Sequence, residues 1–247
     1  MNFLIIFILI PLLMLLSLFA TRNRKQVLAV MVTGSSALVV ASAYLAIRYI
    51  AIRNSGVAET MLFTSTYPWY QPLNIGFSLG VDAVSVAMLC LSSLIVFTGT
   101  FVSWKIQPLT KEFFAWFCLL SLGVYGFFIT TDLFTLFMFY EIALIPMYLL
   151  IGIWGSGRKE YSAMKLTLML MGASTLLIVG ILGIYYSTGA VSMNILDLMK
   201  IDMPLNQQLF FFTLTFVGFG VLGALFPFHT WSPDGHASAP TAVSMLH

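Results

Sequence analysis

A series of long apolar segments with almost no charge constrains this chain more than any other feature. Apolar residues make up 60% of its 247 residues and charged residues only 8%, whereas soluble domains hold about 25% charged residues. A helix that crosses the hydrocarbon core of a bilayer needs about 20 predominantly apolar residues. The composition therefore excludes a soluble domain and predicts an all-α protein that crosses a membrane several times.

Seven segments are long enough to be transmembrane helices. An eighth apolar run starts near Ser238 and reaches His247 after about half a span, which would leave backbone groups unsatisfied in lipid. The sequence is therefore expected to be truncated within an eighth helix. The seven predicted spans are Phe3–Ala20, Val27–Ile52, Val84–Trp104, Phe113–Thr130, Leu133–Ile153, Ala163–Tyr186 and Leu209–Phe226.

The basic residues are distributed unevenly between the two sides of the predicted membrane. Because Lys and Arg concentrate in cytoplasmic loops, this asymmetry predicts that the N-terminus lies outside. The first span has no positive charge before it and no small-residue cleavage site after it, so we expect it to stay attached. One side holds Arg22, Arg24, Lys25, Lys105, Lys111, Arg158 and Lys159, and the other holds Arg48, Arg53 and Lys200.

The connections between spans carry few distinctive features. The segment from Asn54 to Asp82 is predicted to be a partly ordered external loop whose aromatic residues suit the membrane interface. Asp82 and Asp132 each precede a span and are expected to cap its free backbone N–H groups. Asn194 to Asp197 is predicted to add a short surface helix.

The segment from Pro227 to His236 differs from the other connections because two prolines, a glycine and three ionisable groups directly follow an apolar span. It is predicted to break the helix. Broken helices at membrane depth are tolerated only where they are buried in protein or line a water-filled cavity.

Glu141 lies near the middle of the fifth span, where a charged side chain costs about 2.5–3.5 kcal/mol on insertion scales. Burial raises the pKa of a carboxyl group, and a nearby lysine lowers it again. Such a group can bind and release a proton near neutral pH, as a proton relay requires. The alternative is a neutral acid that makes an interhelical hydrogen bond.

Three further ionisable residues are candidates for the relay. Lys165 either takes part in it or extends its ammonium group to the cytoplasmic interface. His229 and His236 flank the predicted helix break and titrate near neutral pH, so they suit a proton entry route or, alternatively, bond the broken helix. We interpret Asp234 as a structural cap for the next segment and not as a proton carrier.

The sequence has no metal-ligand cluster, haem-attachment motif, glycine-rich phosphate loop or basic nucleic-acid stripe. The two cysteines, Cys90 and Cys118, lie inside predicted spans and are interpreted as packing residues. Any redox cofactor is therefore expected on another chain.

Two long motifs resemble a known family. The stretch from Phe137 to Gly155, FMFYEIALIPMYLLIGIWG, resembles the fifth helix of subunit M of bacterial NADH:quinone oxidoreductase, the counterpart of mitochondrial chain 4. The stretch from Pro227 to Thr241, PFHTWSPDGHASAPT, is similar to the family's signature PxHxWxPDAHxxAP after the seventh helix. Gly80-Val81-Asp82 before the third span is a weaker match.

The resemblance implies an antiporter-like subunit of about fourteen helices, built from two inverted repeats that each contain a discontinuous helix. Residues 1–112 would then hold three leading helices with an external loop, and 113–247 the first repeat with its broken seventh helix. Glu141 would correspond to the family's fifth-helix glutamate. The family's usual seventh-helix lysine would fall at Leu222, so either Lys165 or the eighth helix supplies the positive partner, or this half-channel is altered.

The leading hypothesis is a proton-translocating subunit of a respiratory NADH:quinone oxidoreductase in a bacterial plasma membrane, with Glu141, Lys165, His229 and His236 as its proton relay. The resemblance implies neighbouring antiporter-like membrane subunits as partners, and NADH, FMN, Fe–S clusters and quinone on other chains. No nucleic-acid partner is expected. Alternatives are a cation/proton antiporter or membrane-bound hydrogenase subunit, and a structural membrane subunit that has lost transport.

Overall fold

The computed structural model describes residues 2–57, 59–70, 74–189 and 191–246. Seven helices in these residues are long and apolar enough to cross a membrane, which confirms the predicted number of spans. The long helices are α1 (Ile6–Ala20, preceded by a 3₁₀ turn), α2 (Arg24–Asn54), α3 (Ala83–Val102), α4 (Thr110–Ile129), α5 (Leu133–Trp154), α6 (Lys159–Ser187) and α8 (Leu205–Leu222), and the short ones are α7 (Ile195–Leu198), α9 (Trp231–Ser238) and α10 (Thr241–Leu246).

Helix α4 lies at the centre of the bundle and contacts α1, α2, α3 and α5. Its aromatic side chains Phe113, Phe114, Phe117 and Tyr125 are fully buried and form the middle of the apolar core. Large rings at these positions fill the space between several helices, so α4 holds the first three spans against the later ones.

A two-stranded antiparallel sheet, β1 (Leu62–Tyr70) and β2 (Ile75–Val81), covers one end of the bundle. The backbone N–H of Thr131 donates to the Ser78 carbonyl, and that of Ile195 donates to the Thr131 carbonyl, both at 2.9 Å. The side-chain amide of Asn2 donates to the Ser65 hydroxyl at 2.8 Å. The N-terminus, this hairpin and the turn between α4 and α5 therefore share one end, here called the hairpin end.

The prediction of a partly ordered loop is wrong where the strands lie, whereas the external position of the segment stays a prediction. Aromatic and β-branched residues dominate β1, and such residues favour strands. Strand β2 is almost entirely buried against the helix ends, so it gains a packed face that no loop would have. The predicted surface helix is confirmed as the single turn α7, which Asn194 caps by accepting the Leu196 N–H at 2.9 Å.

The opposite end of the bundle carries most of the basic residues, and we call it the cationic end. The Lys111 ammonium donates to the carbonyls of Phe19 and Thr21 at 3.0 Å, where α1 ends. The Lys159 ammonium donates to the Ile153 carbonyl at 2.7 Å, where α5 ends. Cations stabilise helix C-termini because the last carbonyls have no intrahelical partner.

The predicted helix break is confirmed. Helix α8 ends at Leu222, four residues before the predicted boundary, and Ala224 adopts a left-handed backbone with φ of 52°. A 3₁₀ turn leads into α9, and the indole N–H of Trp231 donates to the Val221 carbonyl at 3.0 Å. The Ala224 N–H donates to the same carbonyl at 3.2 Å, so the indole adds a second hydrogen bond where α8 ends.

The C-terminal end of α9 is bonded to the α5–α6 connection. The backbone N–H of Ser156 donates to the Ser238 carbonyl at 2.9 Å, and the Ser238 hydroxyl donates to the Ser162 hydroxyl at 2.8 Å. The last described helix, α10, starts at Thr241, and His247, where the predicted eighth run ends, lies outside the described residues. The proposed division at residue 112 falls in the first turn of α4 and stays a prediction.

Candidate functional site

Glu141 lies on α5 about 12 Å along the helix from its first residue, Leu133. Its side chain is half-buried, and its Oε1 atom is fully buried with no hydrogen-bond partner among the described residues. An unpaired buried carboxyl oxygen is costly, because desolvation is not repaid by a hydrogen bond. The alternative of a neutral acid in an interhelical hydrogen bond therefore finds no support at Oε1.

The neighbouring Tyr140 fixes the relative depth of α5 and α6. Its hydroxyl donates to the Leu170 carbonyl of α6 at 3.3 Å. Lys165 lies five residues before Leu170, which places it about 7.5 Å closer to the cationic end. Glu141 and Lys165 therefore occupy different depths in the membrane.

The ammonium group of Lys165 pairs with a carboxylate of the helix break. Its Nζ atom lies 2.7 Å from Asp234 Oδ2, and 24% of the Lys165 side chain and 42% of the Asp234 side chain are exposed. The prediction of Asp234 as a simple helix cap is wrong, because it makes no capping hydrogen bond to α9 and binds α6 instead. The candidate partner Lys165 is thus engaged with Asp234 and not with Glu141.

The two histidines lie at the helix break and are both exposed. The His236 Nδ1 atom is 3.0 Å from the Ser244 hydroxyl of α10. The His229 ring stands 5.6 Å from the Phe226 ring. The structure thus brings the lysine and the signature aspartate together at the break, but it does not gather the four predicted relay residues into one cluster.

An apolar cavity of about 430 Å³ lies between α5 and the helix break. Tyr140, Leu144 and Met147 line it from α5, and Leu222 and Trp231 line it from the break. A lysine at position 222 would extend from the cavity wall. With leucine there, the wall of the cavity stays apolar at this position.

The capping predictions for Asp82 and Asp132 are confirmed. Asp82 accepts the Ser85 N–H at 2.7 Å, and Asp132 accepts the Thr135 N–H at 3.0 Å. Burial raises the pKa of the Asp132 carboxyl above its ordinary value, and hydrogen bonds from Thr135 and Gly76 offset part of the rise. This carboxyl is the most deeply buried acidic group of the hairpin end, with 1% of the residue exposed.

The sequence does not point to Tyr140 as a contributor to the site, and it points to a cap role for Asp234 instead of its ion pair. Tyr140 precedes Glu141 directly and links α5 to α6, and Asp234 belongs to the signature stretch and links α6 to the break. The proximity of Tyr140 to Glu141 along the chain was a usable signal, whereas the pairing of Lys165 with Asp234 spans 69 positions and needed the fold. No group of three or more His, Cys, Asp or Glu side chains in the described ranges could hold a metal ion.

Comparison with known proteins identifies the relatives of this chain. The family described as NADH:quinone oxidoreductase/Mrp antiporter, transmembrane, matches residues 130–247. NAD(P)H-quinone oxidoreductase chain 4-2 of Synechocystis sp. is 32% identical over 180 residues, which cover 73% of this chain and 32% of the relative. NADH-ubiquinone oxidoreductase chain 4 of Chondrus crispus is 33% identical over 195 residues, which cover 78% of this chain and 39% of the relative.

Two solved structures share the fold. Respiratory complex I from Thermus thermophilus contains a chain that superposes with a TM-score of 0.84 at 20% identity, covering 98% of this chain and 48% of that one. An archaeal membrane-bound sulfane sulfur reductase contains another, with a TM-score of 0.84 at 20% identity, covering 99% of this chain and 49% of that one. This chain therefore spans about a third of the relatives' length and about half of the matching structures.

Seven membrane-spanning helices, the broken helix after α8 and the similarity to chain 4 proteins agree with one another. The chain is a part-length member of the NADH:quinone oxidoreductase/Mrp antiporter family of membrane proteins.

Proposed function

We propose that this chain is part of a proton-translocating membrane subunit of a respiratory NADH:quinone oxidoreductase. The observation that carries the proposal is the buried, unpaired Oε1 of Glu141 within a membrane-spanning helix. An ionisable group at membrane depth is functional by default, because its cost must be offset by what it does. The similarity to chain 4 proteins supports the oxidoreductase as the setting.

The proposed relay uses Glu141, Lys165, His229 and His236, with Asp234 as an added member. The histidines at the exposed break accept protons from the cationic end. The Lys165–Asp234 pair, at 2.7 Å, lies next along the path. Opening of this pair would free Lys165 to exchange a proton, and water entering between α5 and α6 would carry that proton towards Glu141.

The gap between Lys165 and Glu141 is the part of the path that must change during turnover, because Lys165 bonds Asp234 and the Oε1 atom of Glu141 has no partner among the described residues. Protons move along hydrogen-bonded groups or water, and the neighbouring cavity has an apolar wall at Leu222. The relay therefore works only if water bridges this gap when Glu141 is charged. The proposal includes a half-channel that differs from the family's usual one, because Leu222 stands where the resemblance places a lysine.

The relay requires an energy source on other chains. We propose that NADH, FMN, Fe–S clusters and quinone bind partner subunits, and that neighbouring antiporter-like membrane subunits and the lipid bilayer surround this chain. The proposed location is a bacterial plasma membrane with the N-terminus outside. The concentration of basic groups at the cationic end supports this orientation.

A cation/proton antiporter or hydrogenase-type subunit is the second candidate. It is favoured by the family description, which includes Mrp antiporters, and by the shared fold of the archaeal sulfane sulfur reductase. The two candidates differ in what drives the proton. In the first, electron transfer from NADH drives it. In the second, a sodium gradient drives it in an antiporter, and electron transfer from a donor other than NADH drives it in a hydrogenase-type subunit.

The test is a deletion of the corresponding gene, complemented by the complete reading frame. Inverted membrane vesicles are energised with NADH, and the proton gradient is followed with a pH-sensitive dye. We expect the deletion to abolish NADH-driven acidification that is coupled to quinone reduction, and complementation to restore it. Unchanged NADH-driven acidification with loss of sodium/proton exchange would replace the first candidate by the second.

A further inference from the structure

A second cavity of about 220 Å³ lies at the hairpin end, away from the proposed relay. We call it the hairpin-end cavity. Strand β2, the first turn of α5 and the segment before α7 border it, with Ser78, Asp132 and Asn194 among the lining residues. A water molecule occupies about 30 Å³ of liquid volume. The cavity is therefore large enough for a small ion together with several water molecules.

Two buried oxygen atoms at this cavity have unused bonding capacity. Ser78 is 1% exposed, and its hydroxyl oxygen has no hydrogen-bond partner among the described residues. Asp132 is also 1% exposed. Its Oδ1 accepts two hydrogen bonds from Thr135, at 3.0 and 2.9 Å, and within the described residues its Oδ2 accepts a long one from the Gly76 N–H at 3.4 Å. The Phe134 N–H gives the carboxylate a further, weaker bond.

A buried hydroxyl without a partner is destabilising unless something binds it. Two hydrogen bonds hold the Ser78 backbone in place, since its carbonyl accepts from the Thr131 N–H at 2.9 Å and from the Thr130 hydroxyl at 3.1 Å. The strand therefore cannot rotate to expose the hydroxyl. An ion or water molecule inside the cavity would satisfy both Ser78 and Asp132 Oδ2.

The donor atoms and the charge define the ligand class. The polar side chains that line the cavity in the described residues offer oxygen atoms as ligands, and none of them is a histidine or a cysteine. Such a set of ligands suits a hard cation. Asp197 also lines the cavity, but its Oδ1 lies 3.3 Å from the Lys200 ammonium. One uncompensated carboxylate, Asp132, remains, so a monovalent cation neutralises the cavity whereas a divalent one leaves excess charge.

We propose that the hairpin-end cavity binds a monovalent cation of the sodium class, held by the Asp132 carboxylate and the Ser78 hydroxyl with water completing its coordination. The cation joins β2 to the first turn of α5. This site is independent of the proton relay, because it lies at the other end of α5 and shares none of the proposed relay residues.

Hydrogen exchange of the intact complex, read by mass spectrometry over β2 and the first turn of α5, tests the site. Exchange is compared in equal concentrations of sodium chloride and choline chloride, which match the ionic strength. A sodium concentration ten times the dissociation constant should slow exchange about tenfold. Calcium chloride at matched ionic strength should give less protection than sodium.

Two variants separate binding from folding. Ser78→Ala removes a hydroxyl without a partner, so the fold should persist while the sodium effect shrinks, and Asp132→Asn should abolish the sodium effect. Ser35→Ala, a buried serine of α2, is the matched control and should keep the full effect. Equal exchange in sodium and choline, an undiminished effect in Ser78→Ala, or protection by calcium alone would each overturn the proposal.

Discussion

Replacement of Gly123 by alanine tests how tightly α4 and α5 must approach one another. A Cβ atom at this position would lie 2.8 Å from the Ala143 Cβ and the Phe139 carbonyl oxygen, and 2.9 Å from the Ala143 nitrogen. Ordinary contacts begin near 3.4 Å. Two of these atoms belong to the α5 backbone, so rotation of a side chain does not relieve the clash.

The helices must therefore separate by about half an ångström, a gap that forfeits about a quarter of the contact energy along the interface. Overpacking of this kind costs about 1–3 kcal/mol. Because each 1.4 kcal/mol is a tenfold change in an equilibrium constant, amide exchange in α4 and α5 should accelerate about 5- to 140-fold. Since α5 carries Glu141, proton translocation should fall as well.

Gly172→Ala in α6 is the matched control. Among the described residues, no atom outside its own helix lies within 4 Å of the position where its Cβ would be built. Alanine there should stabilise the helix by about 0.5–1 kcal/mol, because it restricts the unfolded chain. If Gly123→Ala exchanged as slowly as Gly172→Ala in α4 and α5, the close approach of these helices would be refuted.

Two further substitutions probe the cap and the ion pair. Asp132→Ala should lower the local unfolding free energy of the first turn of α5 by about 0.5–2 kcal/mol, whereas Asp132→Asn keeps a capping oxygen and should lose less, as measured by exchange of the Thr135 amide. Lys165→Met and Asp234→Asn should each reduce NADH-driven proton translocation in vesicles, and the double variant should add little, because both break the same pair. Lys159→Met, which removes another lysine of α6, is the matched control. Additive losses in the double variant would contradict the pairing of Lys165 with Asp234.

The spans and helix caps could be predicted from the sequence because they depend on local signals. A run of apolar residues long enough to cross a bilayer is visible without a fold, and Asp82 and Asp132 each precede such a run. The break after α8 was predicted for the same reason, since its prolines, glycine and ionisable groups interrupt an apolar segment. Only its boundary moved, because the chain leaves the helix before Pro227.

The remaining features depend on contacts between distant residues. Strands β1 and β2 are stabilised by pairing with one another and by burial of β2 against helix ends. The ion pair of Lys165 with Asp234 requires α9 to fold back onto α6. The side-chain oxygens of Ser78 and Glu141 are unpaired because no donor or acceptor of the described residues lies within hydrogen-bonding distance and geometry. Composition and spacing carry no signal for such geometry.

Proton translocation per electron in the assembled complex, with Glu141 replaced by Gln, tests the central claim most directly. Glutamine keeps the size and polarity of the side chain but cannot release a proton. Glu160→Gln, an exposed acid in the first turn of α6, is the matched control. We predict that Glu141→Gln lowers the number of protons moved per electron while Glu160→Gln leaves it unchanged. An unchanged ratio in Glu141→Gln would remove Glu141 from the relay and contradict the proposed function.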